Sequence, residues 1–362
     1  MPRKLKKISY KDFSIIDLFC GIGGLTHGFV KEHFQVDAGI DFDKSCKYAF
    51  EKNNNSTFLH KDIANLSCSE LLSLYDTTKR RILIGCAPCQ PFSVYNSKKN
   101  KTDIKKSDEE KWKLLYSFSK LIEETEPEII SMENVPFLKK FNDGKVYNDF
   151  VRNLEKRNYK VTSYIVNAQD YGVPQRRKRL ILFASKHGEI KLIDKIIKDK
   201  KFITVKDAIG HLPPVEDGIP HPDDELHRAR KLTDLNKKRI QATKEGGFWR
   251  DWDKSLWLAC HKKKNGREFR SVYGRMKWDE VAPTMTTFCI GLGNGRFGHP
   301  TQDRAITLRE ASILQSFPET YELIDPTSPF ASQTIARQIG NAVPVSLGIA
   351  IARSIKNHIE YL

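Results

Sequence analysis

The sequence predicts an α/β protein built on an open, doubly wound and mostly parallel sheet, with a smaller second lobe. Three observations predict it. Short apolar, β-branched runs alternate with helical periodicity through the first half of the chain, a glycine-rich turn follows the first run, and the alternation stops after about Lys186. Parallel strands need long crossover connections, and the intervening helical stretches supply them.

The expected strands are Phe13 to Cys20, Phe34 to Asp41, Arg81 to Cys86, Glu128 to Glu133, Lys160 to Asn167 and Arg179 to Ser185. Between them, Glu109 to Glu124 and Tyr147 to Arg157 carry apolar residues at three and four spacing, as helices packed on a sheet do. Beyond Lys186 come Pro213, Pro214, Pro220 and Pro222, charge clusters and Trp249, Trp252, Trp257 and Trp278. The rhythm returns with helices at Leu308 to Gln315 and Val343 to His358, the latter with Pro344 near its start. The expected division is a first domain over residues 1–185, a small lobe over 186–300, and a segment over 301–362 that returns to the first domain.

The chain has 362 residues with 61 Lys and Arg against 45 Asp and Glu, a formal charge of +16. A polyanion is the natural partner, and a merely solvated lysine-rich surface is the competing account. There is no run of 18 or more apolar residues, and MPRKLKKISYKDF leads into a strand without a signal-peptide core, so a soluble intracellular protein with no membrane contact is expected. Seven irregularly spaced cysteines read as reduced thiols. Cys86 and Cys89 form a single C-x-x-C pair, and without a second pair no metal site is expected.

Asp17-Leu-Phe-Cys-Gly-Ile-Gly-Gly24 sits where the first strand turns into a helix, and Gly21, Gly23 and Gly24 permit a tight turn and close approach of a ligand. The spacing is not that of the dinucleotide fingerprint. Asp41, about twenty residues on, suits a ribose, and Asp62 near the next strand end suits an exocyclic amine. NAD and S-adenosylmethionine both remain open on these residues, and each Asp also reads as a turn or cap residue. Gly85-Cys-Ala-Pro-Cys-Gln-Pro-Phe-Ser93 places prolines on both sides of Cys89 and Gln90, which fixes a nucleophile in one geometry. Glu133 closes a later strand at the same sheet edge, and Gln175-Arg-Arg-Lys-Arg179 brings guanidinium groups before another strand.

In order, DLFCGIGG, APCQPFS, ENV, QRRKR, RAITLREASILQSFP and QIGNAVP resemble the motifs of the C5-cytosine DNA methyltransferases of bacterial restriction-modification systems, and they span Asp17 to Pro344. The resemblance implies a Rossmann-like catalytic domain, a target-recognition domain between QRRKR and RAITLRE, and methyl transfer from S-adenosyl-L-methionine, with S-adenosyl-L-homocysteine as product. It implies that Phe19, Gly21, Gly23, Gly24, Asp41, Phe42, Asp62 and Ile63 line the cofactor, with Asn341 and Val343 closing the pocket. Cys89 would be the nucleophile, Glu133 the group facing N3 of cytosine, and Arg177 and Arg179 the residues orienting base and glutamate. Double-stranded DNA is the implied partner, the target cytosine being flipped out of the duplex, in a bacterial cytoplasm. A cognate endonuclease and a monomeric state go with that setting. A tRNA methyltransferase of the same fold and a silent DNA-binding protein are the alternatives; the long insert and Phe92-Ser93 disfavour the first, and Cys89, Glu133 and Arg177 the second.

The basic segment Phe92 to Glu110 is expected to close over DNA as a loop. In the small lobe, Lys262 to Lys264, Arg267, Arg270, Arg275 and Lys277 are candidates for phosphates, and Asn294, Arg296 and His299 for base edges. Trp249, Trp252 and Trp257 read as core. Cys20, Ser312 and Ser316 depart from the family's usual small residues without touching the chemistry.

Overall fold

A computed structural model of the chain describes residues 8–88, 106–199, 201–263, 266 and 271–362, with side chains from 112 onward in the helix that starts at 106. The strands β1 (Phe13–Leu18), β2 (Val36–Asp41), β3 (Thr57–His60), β4 (Arg80–Gly85), β5 (Ile129–Asn134), β6 (Lys160–Asn167) and β7 (Lys178–Ser185) form one sheet, ordered β3-β2-β1-β4-β5-β7-β6. The pairs β1/β2, β2/β3, β1/β4 and β4/β5 are parallel. β7 runs antiparallel to both β5 and β6. The helices are α1 (Gly24–Lys31), α2 (Lys47–Asn54), α3 (Cys68–Ser73), α4 (Lys106–Thr125), α5 (Lys145–Glu155), α6 (Val205–Ile209), α7 (Asp234–Gln241), α8 (Ala259–Lys262), α9 (Leu308–Leu314), α10 (Ser332–Asn341) and α11 (Val345–Glu360).

The central strands β1 and β5 are buried along their whole length, which is why they read as continuous apolar runs rather than alternating ones. The chain steps outward from β1 to β3 and then resumes at β4 on the other side of β1, so the order reverses between β1 and β4. Ligands of open α/β sheets bind at the carboxyl ends of strands beside such a reversal.

By compactness the chain forms two units: residues 1–167, 178–195 and 345–362, and residues 168–177 and 196–344. These borders fall differently from those expected. Residues 301–344 stay with the second unit, and a ten-residue piece before β7 belongs to it as well. In the first unit α1 and α11 cross at Gly28 and Gly348, where a Cβ on Gly28 would fall against the Gly348 carbonyl carbon. The second unit adds a short ribbon, β8 (Pro220–His221) with β9 (Asp224–Arg228), and an aromatic core. Trp249 and Trp252 are buried there, Trp249 stacking on His261 at 4.2 Å and meeting Trp257 edge-on at 4.9 Å, as expected for core tryptophans.

Several expectations are corrected. β3, expected only through a strand end near Asp62, carried too short an apolar run to be bounded, and β1 ends at Leu18 because Phe19 turns the chain with a positive φ of 60°. The helix expected from Glu109 begins at Lys106, so the end of the basic segment is helical; its earlier part lies outside the described residues. Ser332–Glu360 is long and apolar enough by composition to cross a membrane, but 72% of its most apolar window is buried in the protein, as core helices are.

Candidate active site

The carboxyl ends of β1, β2, β4 and β5 share one edge of the first unit's sheet. At β1 the chain turns through Phe19, Gly21 (φ 50°) and Gly23 (φ 83°) before entering α1 at Gly24. Nothing stands within 4 Å of where a Gly21 Cβ would be, so glycine is required there by the backbone conformation and leaves an open cradle. At the end of β2, Asp41 accepts from Gly21 N at 2.9 Å through Oδ2 and from Asp43 N at 2.9 Å through Oδ1. Burial raises its pKa, and these two amides oppose the rise. Each carboxylate oxygen keeps a second lone pair for another donor.

Phe42, next to it, is 67% exposed, an unusual place for a large apolar ring. Asp62 is exposed and accepts from Ala64 N at 3.0 Å, capping a short turn, whereas Ile63 is buried in the core cluster. Phe19 packs edge-on against Phe118 with centroids 6.4 Å apart. Beneath the turn, the buried Asp17 accepts from Thr26 Oγ1 at 2.6 Å. Burial, with the Asp41 charge adding, pushes its carboxyl up to about 7.

Glu133 is the second-to-last residue of β5 and is 2% exposed. Its Oε1 meets Arg179 Nε at 2.8 Å, and its Oε2 accepts from Cys86 Sγ at 2.9 Å. The adjacent Asn134 donates through Nδ2 to Ala87 O at 3.1 Å and accepts from Val135 N through Oδ1 at 2.8 Å. The chain leading to Cys89 is thus pinned two residues before it; Cys89 itself lies outside the described residues.

Arg177 belongs to the second unit, although Arg179 lies only two residues away in the first. Its buried guanidinium donates to Met285 O at 2.9 Å, Gly340 O at 3.1 Å and Ala342 O at 3.3 Å. Gln175 reinforces this frame, donating to Leu314 O at 2.8 Å and accepting from Met285 N at 3.0 Å. Asn341, exposed, ends α10, and Val343 is buried. Two other expectations for this unit change. Arg275 is buried, donating to Thr243 O at 2.7 Å and to Ile240 O and His299 O at 2.9 Å, so it holds loops together rather than phosphates. His299 is buried too and accepts from Gln302 N at 2.9 Å, so its ring is spent on the protein's own backbone. Asn294, Lys262, Lys263 and Lys277 are exposed, Arg296 is half-buried, and Lys264, Arg267 and Arg270 lie outside the described residues.

A family model described as C-5 cytosine-specific DNA methylase matches residues 13–357. This chain belongs to that family. It is 52% identical over 349 residues to the type II methylase M.HgiDII of Herpetosiphon aurantiacus, covering 96% of both chains. It is 30% identical to the type II methyltransferase M1.HphI of Haemophilus parahaemolyticus, covering 94% of this chain and 86% of that one. Among solved structures, a DNA modification methyltransferase encoded within an E. coli prophage shares the fold, with a TM-score of 0.71 and 21% identity over 95% of this chain and 99% of that one.

The methylase is therefore a DNA (cytosine-5)-methyltransferase, and its family uses S-adenosylmethionine. Sequence reasoning assigned no role to Asp17, Cys86 or Asn134, although they lie within one to three residues of Phe19, Cys89 and Glu133. Asn134 was the most findable of the three: an amide at the end of a buried strand must meet partners, and the neighbouring strand end is where they are.

Proposed function

We propose that this methylase modifies a flipped cytosine through Cys89, with Glu133 as proton donor, and that one observation carries the reading: a buried carboxyl held between Arg179 and Cys86 beside the root of the Cys89 loop. The Cys89 thiolate adds to carbon 6 of cytosine while Glu133 delivers a proton to N3, so the ring becomes an enamine nucleophilic at carbon 5. S-adenosylmethionine supplies the electrophilic methyl group on its sulfonium. Carbon 5 takes up that methyl group, leaving S-adenosylhomocysteine; loss of the carbon 5 proton to a base, such as water, then breaks the sulfur–carbon bond and returns the thiolate, while the N3 proton goes back to the Glu133 carboxylate. Arg179 holds Glu133 ready where charge develops, and Arg177 supports the base through the frame it orders.

The cradle fits the cofactor. Gly21 leaves room beside its amide, Gly23 and Gly24 carry the turn into α1, Asp41 has lone pairs free for ribose hydroxyls, and Phe42 offers an exposed ring for the adenine. Phe19, Asp62 and Ile63 complete that side, and the family resemblance adds Asn341 and Val343 to the cofactor residues. Residues 186–300 serve as the target-recognition domain. In this reading the chain acts as a monomer in a bacterial cytoplasm and shields a DNA sequence from a partner endonuclease of the same specificity.

The test uses duplex DNA carrying 5-fluorocytosine, whose fluorine blocks the elimination step. Incubated with S-adenosylmethionine, the protein is expected to form a denaturation-resistant adduct that maps to Cys89 by mass spectrometry and is absent in Cys89→Ala. No adduct with the parent protein, or one that survives in the variant, overturns the reading.

A further inference from the structure

A cleft of about 370 Å3 in the second unit is lined by three cations, Arg176, Lys277 and Arg296, and one carboxylate, Glu280. The backbone at its edge is laced together. Arg176 N donates to Ala282 O at 2.8 Å and Ala282 N to Pro174 O at 3.0 Å, so Arg176 and Glu280 arise from adjoining segments. Glu280 Oε2 meets Arg176 Nη2 at 3.3 Å, and Oε1 meets Lys277 Nζ at 3.0 Å. The hydrogen bond from Lys277 holds the Glu280 carboxyl below the usual range, so it is ionised at neutral pH. Arg296 donates to Gly247 O at 3.1 Å and Arg275 O at 3.2 Å and so braces the loops around the cleft. Arg176 and Lys277 are exposed and Glu280 is half-buried. Ion pairs so exposed contribute little to stability, and their heads exchange readily for a ligand.

The three heads stand in the order cation, carboxylate, cation, which is donor, acceptor, donor. Along the major-groove edge of an A·T pair, adenine N7, the adenine N6 amino group and thymine O4 run acceptor, donor, acceptor. A G·C pair runs guanine N7, guanine O6 and cytosine N4, so Glu280 would face O6 with no proton between them. A phosphate would meet the same carboxylate. Met276, Val281 and Pro283 also line the cleft, apolar surface suited to the C5-methyl group that thymine carries beside O4. The minor-groove edge of G·C repeats the order of groups but offers no methyl to that surface, in a groove only about 6 Å wide. We propose that Arg176, Glu280 and Lys277 read one A·T pair of the recognition sequence in the major groove. Glu280 accepts from the adenine amino group, while Arg176 and Lys277 donate to adenine N7 and thymine O4. This rests on the reading of residues 186–300 as the target-recognition domain and adds Arg176 from the same unit.

The test lets the full-length protein methylate duplexes with randomised sequence around a cytosine. Bisulfite sequencing reads the preferred site for the parent, Glu280→Ala, Glu280→Gln and Lys277→Ala. Expected is a parent site with an invariant A·T pair, at which Glu280→Ala loses about tenfold in preference over G·C while the other positions hold. Glu280→Gln keeps most of that preference, because its amide oxygen still accepts from the amino group, and Lys277→Ala relaxes the same pair. A parent site without an A·T pair, or a relaxed pair that is G·C, overturns the proposal. So does an unchanged site in Glu280→Ala, or a loss uniform across sequences with a shallower salt dependence, the mark of a phosphate contact. Melting temperatures show which variants are folded; if Glu280→Ala is not, Lys277→Ala decides. Irradiating the bound duplex with 5-iodouracil in place of thymine separates the levels. With no crosslink in residues 186–300 the recognition-domain reading itself fails, whereas crosslinks there beside an unchanged site in Glu280→Ala sink only the A·T contact.

Discussion

Arg304 and Glu310 face one another in a doubly bonded ion pair, Nη1 to Oε2 at 2.8 Å and Nη2 to Oε1 at 2.7 Å, with each residue 1% exposed. Glu310 also accepts from Thr307 N at 2.8 Å, so the same carboxylate caps α9. Burial alone would raise its pKa, but the bonds and charge of Arg304 outweigh that and hold it below the ordinary range. Glu310→Gln leaves a buried guanidinium uncompensated and is expected to cost about 3–5 kcal/mol in urea unfolding. Replacing both partners by apolar residues of similar volume is expected to cost less than the single change. A loss under about 1 kcal/mol in Glu310→Gln would show the pair to be dispensable.

His299 lies beside that pair, Nε2 3.7 Å from Glu310 Oε1, and burial drives its pKa down to about 4 despite the carboxylate. The unfolded chain binds this proton near the ordinary value of about 6.5. Between those values the unfolded state holds more protons than the native one, so stability falls as pH is lowered through that window. His299→Gln is expected to lose less stability than the parent between about pH 7 and pH 4, seen as converging melting temperatures. Parallel pH curves for the two proteins would refute it.

At Gly28 the neighbour that a Cβ would strike is backbone, the Gly348 carbonyl, so neither helix can yield without moving as a whole. Gly28→Ala is expected to destabilise the first unit by about 1–3 kcal/mol, although alanine is the better helix former. Melting temperature reads this directly, and a neutral or stabilising change would mean that α1 and α11 shift apart freely.

Asp41 joins the end of β2 to the glycine turn through Gly21 N. Asp41→Ala removes that tie together with the proposed ribose acceptor. Calorimetric titration with S-adenosylhomocysteine is expected to show Kd raised at least about tenfold, the loss of roughly one charged hydrogen bond. Unchanged affinity would place the ribose elsewhere.

Most of the sheet was legible because buried strands advertise themselves as unbroken apolar runs, as Ile129–Asn134 does, and the glycines of the first turn by their spacing. What was missed has physical reasons. Thr57–His60 is four residues long with exposed ends, and gives no period to detect. Arg275 and His299 look like surface residues in composition, and only the carbonyls and amides that converge on them in three dimensions explain their burial. Arg177 was seen as one of a cluster of cations, but a cluster in sequence does not reveal that its members serve different units.

β7 runs against both of its neighbours. Its first residues therefore stand beside the last residues of β5, with Leu180 opposite Asn134 and Ile181 opposite Glu133. Laid the other way over the same span, β7 would set Arg179 where Ala184 is, opposite Ile130 and about 10 Å along the strand from Glu133, at about 3.3 Å per residue. Pairing register matters as much as direction, because a slip of one residue turns every side chain of a strand to the opposite face. The ladder between β5 and β7 thus acts as an alignment gauge for the charge pair.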